Sequence, residues 1–189
     1  SGLASAYFLQ QKYDVTVYEK NNYFGGHSNT VDITIDGINF PVDTGFLVFN
    51  EPNYPNLVNL FKHMNVTTAT SDMSYSFRND IDKIEWAGKN IFSLFAQKQN
   101  IWNPKFWKML YDILRFNRMG RLQSYSGGRG VSTLGDFLEK FKFSREFQDW
   151  YLLPMAGAIW SCSAKKIRNY PLEAFCSFFN NHGLLKNFN

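Results

Sequence analysis

The sequence predicts an α/β protein whose first part alternates helix with strand and whose second part is largely helical. Three observations carry that reading. The segment Ser1-Gly2-Leu3-Ala4-Ser5-Ala6-Tyr7-Phe8-Leu9 reads as a helix start, and Asp14-Val15-Thr16-Val17-Tyr18 follows it as a strand. Thr30 to Ile35 alternates polar and apolar residues before Asp36-Gly37, the dipeptide of a tight hairpin turn. Beyond Asn103-Pro104 the apolar residues recur at helical spacing almost to the end of the chain.

The first helix is expected over Gly2 to Gln11, with Leu3, Ala6, Tyr7 and Leu9 toward its buried side. Asp14 to Glu19 alternates too little for a half-exposed strand, so a buried parallel strand is expected there. Asn21 to Gly26 is turn chemistry, and Asn39 to Asp43 is the return strand of the hairpin. Leu57, Leu60, Phe61 and Met64 mark a helix from Pro55 to Met64. Short strands are expected at Ser74 to Arg78 and Lys83 to Trp86. Asn103-Pro104 supplies an N-cap and a first-turn proline for a helix reaching about Met119. Its apolar arc is read as Phe106, Trp107, Leu110, Tyr111, Ile113 and Leu114, and its polar arc as Lys105, Lys108, Asp112, Arg115 and Arg118. Gly127 to Gly130 is a loop, Thr133 and Asp136 can cap the next helix, and Arg145 to Leu153 is helical up to Pro154. From Ala156 to Phe179 the chain is apolar, aromatic and helix-prone. The expected domains are 1–70 and 71–189.

Composition excludes several classes. The net charge of +4 is concentrated between Lys98 and Arg121, where six basic residues face Asp112 alone, leaving the rest of the chain at −1. Basicity that local does not indicate a nucleic-acid binder. Cys162 and Cys176 form no Cys-x-x-Cys, and His27, His63 and His182 are scattered, so no metal site is indicated and two buried thiols are expected. No uninterrupted apolar run approaches the roughly 20 residues of a membrane span. The 18% aromatic content is expected chiefly to fill a core.

The intervals between Gly2, Glu19 and Gly25-Gly26 carry chemistry. A pyrophosphate is most cheaply held where free backbone N–H groups and the positive end of a helix dipole point at it. Glycines stand there because a side chain would block the approach, and the third of them lets helix and strand pack closely. Gly2 is placed as that third glycine. Glu19 follows 17 residues later, close to the spacing of about 20 for the acid that accepts the ribose hydroxyls. An acid at that place repels a 2′-phosphate and disfavours NADP. A second glycine turn six residues after the acid suits a further backbone approach to a longer cofactor. On this reading the first strand and phosphate turn are expected to precede Ser1, and the 189 residues alone are expected to bind FAD only weakly.

Three stretches, S-G-L-A-S-A-Y-F-L, D-V-T-V-Y-E-K and G-G-H-S-N-T-V, resemble the N-terminal region of the FAD-dependent amine oxidase superfamily. That group includes monoamine and polyamine oxidases, protoporphyrinogen oxidase and carotenoid desaturases. V-D-T-G-F-L-V-F-N at Val42 to Asn50 and P-M-A-G-A-I-W-S at Pro154 to Ser161 resemble its bacterial amine-oxidase-like subgroup. The resemblance spans essentially the whole chain as an N-terminal fragment. It implies a Rossmann-like FAD-binding domain lacking its first strand, followed by a helical cap or substrate-domain portion. The cofactor contacts it implies are Ser1, Gly2, Glu19, Lys20, Gly25, Gly26 and His27, with Gly45 and Phe46 toward the flavin ring. Many relatives have arginine at the position of His27. Met155, Ile159 and Trp160 would line the substrate cavity.

The implied reaction is hydride transfer from a small organic or apolar substrate to flavin, then reoxidation by oxygen or another acceptor. No residue is assigned as catalytic. Two alternatives stand: a desaturase-type enzyme acting on a lipid, and a non-catalytic binding protein like the GDP-dissociation inhibitors, which share the fold. Asp43 is read as a turn stabiliser and His63 as a last-turn cation. The helix at 104–119 has two readings. Its apolar arc is wide enough to pack on a core, or it lies on an anionic membrane with Trp102, Phe106 and Trp107 at the interface. The expected location is cytoplasmic, with membrane association as the variant.

Overall fold

A computed structural model describes residues 2–45, 48–72, 74–125 and 132–185. The chain forms two compact units, Ser1–Thr68 and Ala69–Asn189. The described residues are mixed α/β, with small sheets and many helices.

In the first unit, α1 spans Gly2–Leu9 and α2 spans Pro55–His63. Between them β1 (Thr30–Ile35) and β2 (Ile38–Asp43) pair antiparallel, with Thr30 opposite Asp43 and Ile35 opposite Ile38. The Asp36-Gly37 signal fixes this register. Both residues have positive φ, 50° and 79°, as a type I′ turn requires. Thr30 donates to the Asp43 carboxylate at 2.6 Å, so Asp43 ties off the open end of the hairpin.

Asp14 to Glu19 departs from expectation. It has no strand pairing among the described residues, and it is exposed rather than buried, Tyr18 to 91%. A strand is defined by the neighbour that receives its N–H and C=O groups, and its own residues cannot supply one. The expected buried side of α1 is likewise open, Leu3 and Leu9 being nearly half exposed.

The second unit holds the core. The strands β3 (Ser76–Asn79) and β4 (Ile84–Ala87) form an antiparallel hairpin that buries Ile84 and Trp86. The short helix α3 (Ile91–Leu94) and a 3-10 turn (Lys98–Trp102) lead into α4 (Pro104–Tyr125). The Asn103 carboxamide accepts from the Lys105 N–H at 3.0 Å, as expected of the N-cap. Next come α5 (Leu134–Lys140), α6 (Arg145–Phe147), a π-helical turn (Gln148–Leu152), α7 (Leu153–Trp160), α8 (Ala164–Arg168) and α9 (Leu172–Asn181). Thr133 and Asp136 form a reciprocal capping box at the start of α5. Phe116 of α4 is the hub, with ring contacts to Phe137, Phe143, Phe147 and Phe175 at 5.4–6.3 Å. Here the aromatic content is core filling.

Two expectations about these helices are corrected. The core side of α4 is Phe106, Met109, Ile113 and Phe116, while Trp107, Tyr111 and Leu114 face outward. Asp112, expected on the polar arc, is buried: it accepts from the Ser144 N–H at 2.8 Å and from Arg115 at 3.0 Å. Arg115 also donates to the Phe141 carbonyl and lies 4.3 Å over the Phe143 ring. A buried charge with all its partners supplied sets the rotation of the helix against the simple apolar count.

Pro154 is the second correction, because the helix runs through it into α7. Proline lacks the N–H owed to the carbonyl four residues back. That carbonyl belongs to Trp150, and the Trp86 indole donates to it at 3.2 Å. The wider π turn just before Pro154 accommodates the ring.

Candidate functional site

The glycine turn after Glu19 and the end of the hairpin come together. Gly25 and Gly26 have φ of 116° and 63°, a conformation that glycine adopts without a Cβ penalty. A Cβ on Gly25 would stand 2.4 Å from the Ser28 carbonyl oxygen, whose own N–H donates back to Gly25 at 3.2 Å. At Gly26 the corresponding space is open to 4 Å.

Gly45 closes on this turn from the other side. A Cβ there would lie 1.4 Å from the His27 carbonyl oxygen, so the two backbones touch and no side chain fits. Asn29 and Thr44 hold the approach. The Thr44 N–H donates to the Asn29 carbonyl at 2.8 Å, and the Asn29 carboxamide donates to the Thr44 hydroxyl at 2.9 Å. Asn29 and Thr44 extend the register of the hairpin by one residue beyond Thr30 and Asp43. This clamp was not read from the sequence. Polar residues placed symmetrically just outside a strand pair were its available signal.

The other proposed contacts have separate surroundings, His27 joining the clamp through its backbone alone. Gly2 opens α1, and no atom within 4 Å meets a Cβ built there, so close helix–strand packing is not what occupies it among the described residues. At Glu19, which ends the 14–19 segment, one carboxylate oxygen accepts from the Asn21 N–H at 2.9 Å. Lys20 and His27 are exposed. Ser1 and Phe46 lie outside the described residues, as does the 127–130 loop. His63 ends α2, where its ring nitrogen meets the Tyr7 hydroxyl at 3.3 Å.

The proposed substrate-wall residues belong to the second unit. Met155 is buried in the core, and Ile159 is 39% exposed. Trp160 stacks on Tyr170 at 5.1 Å and touches Phe175 and Phe178. Beside them an open cleft of about 260 Å³ is lined by Asp149, Leu153, Pro154, Gly157, Cys162 and Ala164. Gly157 admits the chain here, since a Cβ would stand 3.2 Å from the Cys162 carbonyl. Of the two thiols only Cys176 is buried, which pushes its pKa up to about 12; Cys162 is half-buried. The Tyr151 hydroxyl is likewise raised to about 12, by burial first and Tyr75 second, so it keeps its proton at neutral pH.

A glycine turn, an acid at the ribose spacing and a helix start before them are the parts expected of a dinucleotide site. Residues 1–64 match the NAD(P)-binding Rossmann-like domain family. This domain occurs in FAD-dependent amine-oxidase-like enzymes, and it points to a dinucleotide-dependent oxidoreductase. No curated protein matches the chain. Among the described residues no helix is long and apolar enough to cross a membrane, and no cluster of side chains suits a metal ion.

Proposed function

We propose that the chain is an FAD-dependent oxidoreductase of the amine-oxidase-like kind, with FAD held by the first unit. The observation that carries this reading is the clamp of Gly25-Gly26-His27 against Gly45. It offers a second stretch of approachable backbone after the ribose acid, which a cofactor longer than one ADP moiety can use. A bound flavin would supply the hydride chemistry.

The residues of this chain bind and orient. Glu19 accepts from the ribose hydroxyls and repels a 2′-phosphate. Gly25 and Gly26 bring N–H groups toward phosphate oxygens, since a positive-φ turn can point successive donors one way. His27 stands exposed beside them as a donor to the same oxygens. Gly45 keeps the turn in place by fitting under the His27 carbonyl. Small organic or apolar molecules are the proposed substrates.

Equilibrium titration of the product of the full open reading frame with FAD, NAD and NADP tests this, because the 189 residues alone are expected to bind FAD only weakly. FAD should bind more tightly than either nicotinamide dinucleotide. Gly45→Ala should weaken FAD at least about tenfold, because even one methyl group cannot stand 1.4 Å from a carbonyl oxygen. A chain that prefers NADP, or stays colourless with excess FAD, overturns the reading, and the second outcome favours a non-catalytic binding protein.

A further inference from the structure

The outward face of α4 belongs to the second unit and holds none of the dinucleotide contacts proposed above. Trp107, Tyr111, Leu114, Arg118 and Leu122 follow one another at spacings of three and four, so they form a single row along the helix. The four apolar members of that row are 45–66% exposed. Large aromatic and aliphatic side chains in a continuous exposed row mark an interaction surface, unlike scattered single ones.

The row continues past the start of the helix. The Trp107 indole donates to the Ile101 carbonyl at 2.8 Å, which joins the helix to the preceding 3-10 turn. Its polar atom is thereby satisfied inside the protein. Ile101 and Trp102 add to the patch, Trp102 being 87% exposed. Arg118 is exposed within it, Lys98 shares the 3-10 face of Ile101 three residues on, and Lys108 flanks it with a long 3.7 Å approach to Glu146. The one acid of α4, Asp112, is buried and turned away. The exposed row is therefore aromatic, aliphatic and cationic, with no carboxylate of its own.

We propose that this face docks on an anionic membrane surface, with α4 lying in the plane of the interface. Aromatic rings with a polar edge favour the headgroup level, and cations add attraction to anionic lipid. The buried Asp112–Arg115–Ser144 network holds the rotation that presents the row, so the surface is pre-formed. Because the opposite side of α4 is packed in the core, the helix lies on the bilayer and does not enter as a span. A protein partner of matching negative charge is the competing occupant. The indole and phenol rings of the patch, each with a polar edge, favour lipid.

Vesicle co-sedimentation of the full chain tests the proposal. The protein should partition onto equimolar phosphatidylglycerol and phosphatidylcholine, much less onto phosphatidylcholine alone, and should be released by high salt. Lys98→Glu and Arg118→Glu should each weaken the anionic binding by about fivefold or more. Tyr111→Ser should weaken it as well, whereas Tyr18→Ser, on the exposed segment of the first unit, should not. Trp102→Phe should keep most of the binding and lose part of the vesicle-induced blue shift of tryptophan emission. Circular dichroism checks that the variants stay folded. Undiminished binding of both charge reversals, equal binding to neutral vesicles, or equal losses for Tyr18→Ser and Tyr111→Ser would overturn it. So would a dimer dissolved by Tyr111→Ser in a protein that ignores anionic vesicles.

Discussion

The two units use similar side chains in opposite ways. In Ser1–Thr68 the apolar residues of the hairpin stay exposed, Ile33 at 40% and Ile38 at 60% among them. In Ala69–Asn189, Phe106, Phe116 and Phe175 have no more than 1% of their surface left. The structure of the first unit is accordingly local, built from a positive-φ turn, a hairpin and two short helices whose determinants are sequence neighbours. That of the second is tertiary. Its helices take the orientation that a shared aromatic core and one buried carboxylate demand. Stability is expected to follow burial, and cofactor contact to follow the exposed glycine backbone of the first unit.

Equal truncations in the two units break this comparison most sharply. Phe116→Ala removes the hub of four ring contacts and should cost about 3–5 kcal/mol in urea unfolding followed by the buried Trp86 and Trp150. Phe40→Ala makes the same chemical change in a ring already 43% exposed, and should alter that transition by less than about 0.5 kcal/mol. Similar costs at both positions would mean that burial does not divide the units as described.

A smaller effect tests what sets the rotation of α4. Asp112→Ala leaves the Ser144 N–H and the Arg115 guanidinium without their carboxylate. The expected loss is about 2–4 kcal/mol, since Arg115 keeps the Phe141 carbonyl and some solvent. If the apolar arc alone oriented the helix, the loss would be well under about 1 kcal/mol.

The same residues explain how much could be read in advance. The hairpin was legible because alternation and Asp36-Gly37 act within a few residues, and the caps at Asn103 and Thr133 were legible for the same reason. Asp14 to Glu19 was not, because a strand's partner is not written in the strand. The rotation of α4 was hidden because Asp112 looks like a surface residue until Ser144 and Arg115 are seen around it. Pro154 read as a helix end because the donor that replaces its missing N–H, the Trp86 indole, lies far back in the chain. At the candidate site the glycines were legible as residue types, whereas the contact of Gly45 with His27 depends on the hairpin register.

A smaller loss than at Phe116 or Asp112 is expected at the α5 cap, where a local signal operates inside the tertiary unit. The Asp136 carboxylate accepts from the Ser132 hydroxyl at 3.0 Å and the Thr133 N–H at 3.3 Å, while the Thr133 hydroxyl accepts from the Asp136 N–H at 3.1 Å. Thr133→Ala should cost about 1 kcal/mol. The capping bonds from Thr133 and Ser132 hold the Asp136 carboxyl below the ordinary aspartate range, which fixes the sign of its pH dependence. The unfolded chain takes up the proton first as pH falls, so folding is favoured by the ionised carboxylate above the ordinary aspartate value. That contribution declines as pH drops through the lower folded value and is gone beneath it. Wild type and Asp136→Asn should therefore differ in unfolding free energy at neutral pH and converge in acid. A difference that persists unchanged below the folded value would assign the effect of Asp136 to packing, and the cap would then belong with the tertiary determinants of its unit.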